Sequence, residues 1–163
     1  MDSRTRVVTA LDHKEPDRVP IDLGGMRSTG IMAIAYNQLK RYWRITGGQT
    51  RLCDIGQQLA SVERQILERI HADVIPVSLD IAITKRWRPW QLPDGSPCEV
   101  PEDFNPEKRD DGSFVLRDAT GRIVAQMPPN GYYFDGTYHA LADASTISDL
   151  RAVTFYRPIP ADA

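Results

Sequence analysis

Gly24-Gly25-Met26-Arg27-Ser28-Thr29-Gly30 is the stretch whose residue types could do chemistry. Val19, Ile21 and Leu23 precede it in alternation with Pro20 and Asp22, which is the period of a strand. The glycines tolerate the positive φ of a sharp turn. Ser28 or Thr29 can then cap a helix that opens at Gly30 or Ile31. A strand that ends in glycines and feeds a helix N-terminus exposes backbone N–H groups that suit an anion. Arg27 adds a fixed positive charge for a carboxylate or phosphate. The same glycines also serve a plain reading, a tight β-to-α turn with Arg27 in solvent, and a short glycine motif alone does not separate the two.

Other reactive side chains are sparse. Cys53 and Cys98 lie far apart, with no further Cys or His at metal-ligand spacing, so no zinc site is expected from this chain and two reduced thiols are. His71 falls near the end of an apolar helical pattern and His13 in a loop, positions that suit capping or surface packing. His139, beside Tyr138, is the one histidine kept as a candidate for binding substrate. A formal net charge of -2 gives no overall electrostatic footprint for nucleic acid or for an anionic membrane. No apolar run approaches the length of a membrane span and the first residues are not signal-like, so a cytoplasmic protein is expected.

The elements that would position these residues follow from periodicity. Ser3 can cap a short helix in which Val7, Val8 and Leu11 share a face, ending before Pro16. Ile31, Ile34, Ala35, Leu39 and Tyr42 form an amphipathic stripe closed by Gly47-Gly48, with Tyr42 and Trp43 read as packing residues. Leu52, Ile55, Leu59, Val62, Ile66 and Ile70 continue at helical spacing, with a possible break at Gly56 or Ser61. Asp73 to Asp80 reads as a second strand, apolar enough for a parallel sheet under helices, although Pro76 argues against a central place in it. Strand, helix, strand is the βαβ order. Beyond Trp90 the pattern changes to turns: Pro93-Asp94-Gly95, then Asp118-Ala119-Thr120-Gly121 between Phe114–Arg117 and Ile123–Met127. A small antiparallel sheet is expected from about Arg88 to Met127. Ser145 can cap a last short helix containing Ile147 and Leu150.

Several of these runs resemble a known family. Ser3-Arg4-Thr5-Arg6-Val7-Val8-Thr9-Ala10-Leu11 and His13-Lys14-Glu15-Pro16-Asp17-Arg18-Val19-Pro20-Ile21-Asp22-Leu23-Gly24-Gly25 are similar to the N-terminal signature of the uroporphyrinogen decarboxylase superfamily. The likeness is to its methylcobamide-dependent methyltransferase-like branch. It continues through Cys53-Asp54-Ile55-Gly56-Gln57-Gln58-Leu59-Ala60, Leu67 to Ile75, Leu92 to Pro97 and Gly112 to Asp118.

The resemblance implies an α/β fold, the N-terminal part of a (β/α)8 TIM-type barrel with an inserted antiparallel β-hairpin region. A whole barrel usually needs about 250 residues, so the chain of 163 reads as a leading portion: a truncated, fragmentary or split protein. On that reading, residues 1–87 form the N-terminal helix and first βα units. Residues 88–140 form the hairpin insertion, and 141–163 a short helix and tail. The resemblance assigns Asp80 a catalytic role, like the family aspartate that holds pyrrole N–H groups and can stabilise a developing iminium. It places Gly24, Gly25 and Arg27 at the substrate; His139 is kept as a further substrate-binding candidate on its own residue type and not through the resemblance. The methyltransferase branch implies zinc and a cobamide in complete relatives, but its His-x-Cys and later Cys ligands have no counterpart in this chain, so no cofactor is expected within it. Decarboxylation of a tetrapyrrole and a non-catalytic interaction role are the alternatives. Expected partners are a small-molecule, tetrapyrrole or corrinoid substrate, and either a second copy or a separate C-terminal half.

Overall fold

A computed structural model describes residues 1–77 and 86–151, in two compact units, Met1–Phe104 and Asn105–Ala163. The first opens with α1 (Ser3–Leu11), capped by Asp2, whose carboxylate accepts the Thr5 N–H at 2.7 Å, and not by Ser3. Its buried residue is Arg6, while Val8 and Leu11 are exposed, the reverse of the expected apolar face. After a single 3-10 turn at Arg27–Thr29 come β1 (Ile31–Met32) and α2 (Ala33–Tyr42). The buried side of α2 is Ala33, Tyr36 and Lys40. Tyr42, expected to pack, is 82% exposed. The helix stops at Trp43, where Arg44 takes φ 56 before either glycine is reached.

The stretch read as helical, with a break at Gly56 or Ser61, is instead a hairpin and a short helix. β2 (Leu52–Asp54) and β3 (Leu59–Ala60) pair antiparallel, β3 pairs with β1, and α3 runs Arg64–Arg69. The Asp54 carboxylate accepts the Gln57 N–H at 2.8 Å and Gln58 sits at φ 54, so a side-chain-closed turn interrupts the helical spacing. The apolar positions were nevertheless informative: Leu52, Leu59, Val62 and Ile66 are all buried.

The hairpin of β4 (Trp87–Gln91) and β5 (Pro97–Pro101) completes this unit, with Trp90 edge-on to the buried Phe104 ring at 5.6 Å. It joins the earlier strands through the Glu99 N–H, which donates to Thr50 O at 2.7 Å. The second unit is a meander of β6 (Glu107–Lys108), β7 (Phe114–Arg117), β8 (Ile123–Met127) and β9 (Asp135–Gly136), followed by α4 (Ile147–Arg151). Its turns repeat one device. The Asp111 carboxylate accepts from the Ser113 N–H and hydroxyl, and Asp118 does the same for Thr120. Asp94 holds Ser96 identically in the first unit.

These elements correct the expected architecture. Among the described residues every strand ladder is antiparallel, with one isolated parallel bridge between Arg51 and Glu99, so this is not a portion of a (β/α)8 barrel. Neither 19–23 nor 73–77 forms a strand. The physical reason is visible at Ile21 and Asp73. Asp73 N–H donates to Ile21 O at 2.8 Å, and Ile21 N–H is taken by the Asp73 carboxylate at 2.9 Å, so a side chain stands where a strand partner would be. Pro20 and Pro76 remove further ladder donors. No helix among the described residues is long and apolar enough to cross a membrane.

Candidate functional site

The glycine loop is built to close on itself. Gly24 has φ 80 and its N–H donates to Thr29 O at 2.8 Å; Gly25 N–H donates to the Asp22 carboxylate at 2.8 Å. Met26 N–H goes to the Thr29 hydroxyl, and Gly30 N–H to Arg27 O. A Cβ on Gly25 would lie 2.4 Å from the Asp22 carboxylate and 2.7 Å from Val74. The amides expected to cradle an anion are therefore spent inside the loop. Arg27 lies 65% exposed with its Nε 3.2 Å from the Asp54 carboxylate. Gly24, Gly25 and Arg27 thus share one loop, with Arg27 facing solvent and already partnered.

The neighbouring Glu15-Pro16-Asp17-Arg18 run forms a lock. The Asp73 carboxylate, fully buried, receives Arg6, Arg18 (2.7 Å to Oδ2) and the Ile21 N–H. Arg6 continues to Asp17 at 2.7 Å. Burial alone would raise the Asp73 carboxyl, but the Ile21 N–H, the Ser3 hydroxyl, Arg6 and Arg18 together hold it at about 2. The Arg6 hydrogen bond, with help from the N-terminal ammonium, holds Asp17 well below the usual carboxylate range. Each of the four charged side chains is partnered within the cluster, and Arg6, Arg18 and Asp17 also bind Met1 O, the Val19 and His71 carbonyls and the N-terminal ammonium, which gives the cluster a structural role.

A groove of about 480 Å³ lies between the last turn of α2, residues 45–50 and the start of β5. Asn37 stands at its wall with both ends fixed: Nδ2 donates to Ser96 Oγ at 3.0 Å and Pro97 O at 2.9 Å, and Oδ1 accepts the Thr50 hydroxyl at 2.5 Å. Lys40, only 8% exposed, places Nζ 2.5 Å from Glu63 Oε2. Glu63 also accepts the Tyr36 hydroxyl at 2.9 Å and the Gln49 N–H at 3.0 Å. Burial pushes the Tyr36 hydroxyl up, beyond any acid–base role near neutrality. Cys98 lines the groove, and burial, then Asp94 and Glu99, push its thiol up to about 12. It is a protonated packing residue, not a nucleophile.

No family model matches the chain, and no curated protein or solved structure is significantly similar to it. The remaining candidates therefore stand on geometry alone. Asp80 lies outside the described residues, as do Ser78 to Lys85 around it. His139 is an exposed residue of the second unit whose carbonyl accepts the Ala142 N–H. His13 and His71 take φ 55 and 56, turn positions after α1 and α3, which agrees with capping. Among the described residues no group of three His, Cys, Asp or Glu could hold a metal ion.

The groove residues escaped the sequence reading. Tyr36 and Lys40 are four apart on one helix face, a spacing open to inspection. A lysine there reads as solvated by default, because lysines are almost never buried without a partner. Its partner Glu63 lies 23 residues away and carries no local signal.

Proposed function

We propose that the chain is a uroporphyrinogen decarboxylase-like protein of the corrinoid-dependent methyltransferase type. Its part is to position a small substrate and contact a second polypeptide; it supplies neither the metal nor the accepting thiol. One observation carries the reading. Arg6 and Arg18, one from each of the two runs most similar to that family, converge on Asp73, a further residue of the resemblance, across separations of up to 67 residues, and Asp17 joins them through Arg6. A likeness spread by chance along the chain gives no reason for its charged members to meet on one buried carboxylate.

The described residues do not fit zinc, so no step is routed through a metal on this chain. In such a system the cobamide supplies a transferable methyl group and zinc holds the accepting thiol as thiolate. This chain contributes the Arg27 loop, which can trade the Asp54 carboxylate for that of a substrate, and a contact surface that includes exposed Val19 and Val77.

The test is reconstitution. The chain is mixed with a separately produced polypeptide bearing the family's His-x-Cys and later Cys ligands, with zinc, methylcobalamin and 2-mercaptoethanol. Loss of the methylcobalamin absorbance is expected only when both polypeptides are present. Equal rates with and without this chain would overturn the reading.

A further inference from the structure

We propose that Asn130 is a site of spontaneous chemical modification. Its side-chain amide closes a cyclic imide with the Gly131 nitrogen, and water opens that ring to aspartate or isoaspartate in the turn before β9. The site belongs to the second unit and is independent of methyl transfer.

The chain has three asparagines, and the structure treats each differently. Asn37 is fixed at both ends, with Nδ2 donating to Ser96 Oγ and Pro97 O and Oδ1 accepting the Thr50 hydroxyl. Asn105 precedes Pro106, which has no N–H to give up and so offers no nucleophile for an imide. Asn130 is exposed, and among the described residues its side chain makes no hydrogen bond. It precedes Gly131, whose missing Cβ lets the nitrogen come close to the side-chain carbonyl. Three aspartates, Asp94, Asp111 and Asp135, also precede glycine, but an ionised carboxylate is a poor electrophile. Asp94 and Asp111 are held in addition by Ser96 and Ser113.

Gly131 N–H donates to Pro128 O at 2.9 Å, and Asn130 takes φ 61 where a type II turn needs a positive value. The nitrogen must leave Pro128 to react. That opening costs little, because β9 beyond the turn is two residues long and lies at the edge of its sheet. The Gly131 nitrogen gives its proton to hydroxide and attacks Asn130 Cγ. The Cγ–Nδ2 bond breaks, and ammonia leaves with a proton drawn from water. One water molecule then opens the ring. Attack at Cγ gives aspartate; attack at the main-chain carbonyl gives isoaspartate, whose backbone runs through Cβ and Cγ. Nothing is oxidised or reduced, and the net exchange is one water for one ammonia. Isoaspartate lengthens the turn by one methylene and adds a negative charge. It therefore strains the pairing of β9 with β8: Ala125 with Gly136, Gln126 with Asp135, and the Thr137 N–H on Val124 O at 3.0 Å.

The test holds the intact chain in mildly alkaline buffer and follows each asparagine by mass spectrometry of peptides cut in acid. Electron-transfer fragmentation separates isoaspartate from aspartate. The Asn130 peptide is expected to gain one mass unit, mostly as isoaspartate, over a period in which Asn37 and Asn105 lose no amide. The Thr137 amide should lose its hydrogen-exchange protection in step with the isoaspartate formed. Asn130→Gly keeps the positive φ and removes the amide, and it should show neither the mass gain nor the loss of protection. The chain unfolded in urea is the reference. An Asn130 amide kept by the folded chain for as long as the unfolded chain takes to lose it would overturn the proposal, as would equal loss at Asn37. Unchanged Thr137 protection in fully converted chain would overturn the effect on β9.

Discussion

Asp73→Ala is expected to destabilise the first unit by about 3–5 kcal/mol, the scale for breaking a buried ion pair from one side. The loss is large because it leaves Arg6, itself buried, without its main interior acceptor, and takes from Arg18 and the Ile21 N–H the oxygens they bind. All three tryptophans, Trp43, Trp87 and Trp90, belong to that unit, so urea unfolding followed by tryptophan fluorescence reads it directly. Glu68→Ala removes an exposed pair with Arg64 and is the control, expected to shift stability by less than about 0.5 kcal/mol. Equal effects of the two variants would show that the lock contributes nothing special. The same carboxylate sets an acid limit. Its folded pKa, about 2, is below the 3.8 usual for an aspartate, so its contribution is complete above about pH 4 and is lost as pH falls toward 2. Asp73→Ala should therefore flatten the acid limb of the stability profile in that interval.

Gly48→Ala is expected to cost about 3 kcal/mol, whereas Gly47→Ala, one residue earlier, should be nearly neutral. Gly48 has φ 76, where an L side chain is strained by about 1–2 kcal/mol. An added methyl would also meet Glu63 Oε1 at 1.6 Å and force that carboxylate away from Lys40 and the Gln49 N–H, an overpacking cost of about 1–3 kcal/mol. Nothing lies within 4 Å of the corresponding position on Gly47. Thermal unfolding of the two variants side by side decides the matter. Equal melting temperatures would mean that Glu63 does not close over Gly48 in solution.

What the sequence revealed and what it hid divide by range. Turns closed by their own side chains were legible: Asp94-Gly95 and Asp118 to Gly121 carry their hydrogen-bond partners within four residues, and the antiparallel pairs around them form. Leu52, Leu59, Val62 and Ile66 were legible as apolar positions that pack, while Ile55 between them is exposed, and none of them was legible as part of a hairpin. Their three- and four-residue spacing also fits two short strands and a later helix, and the arbiter is one carboxylate at Asp54. Val19 to Leu23 has the alternation of a strand, yet Asp73 captures the Ile21 N–H from 52 residues away. The glycines were legible as a turn, and Gly24 is the one that takes a positive φ; the helix expected to open at Gly30 or Ile31 under a Ser28 or Thr29 cap begins instead at Ala33, after β1, with no side-chain cap. The loop amides were not seen to be consumed by Asp22 and Thr29, because either closure or anion binding satisfies the same residues. Arg6 and Lys40 were hidden because a charged residue on a short amphipathic helix is ordinarily solvated.

The meander of the second unit also bears on the order in which the chain acquires structure. Its strands pair with immediate neighbours, β6 with β7, β7 with β8 and β8 with β9, across tight turns. Short loops close at little entropic cost, and local contacts form early. The lock of the first unit is the opposite case, since Arg6 and Arg18 wait for an acceptor 67 and 55 residues further on. On the ribosome the N-terminal segment is made first, but its buried guanidinium has no interior partner until Asp73 has emerged. That segment stays open until Asp73 is available, and a pause in translation before that position would leave Arg18 without its carboxylate and Arg6 with Asp17 alone.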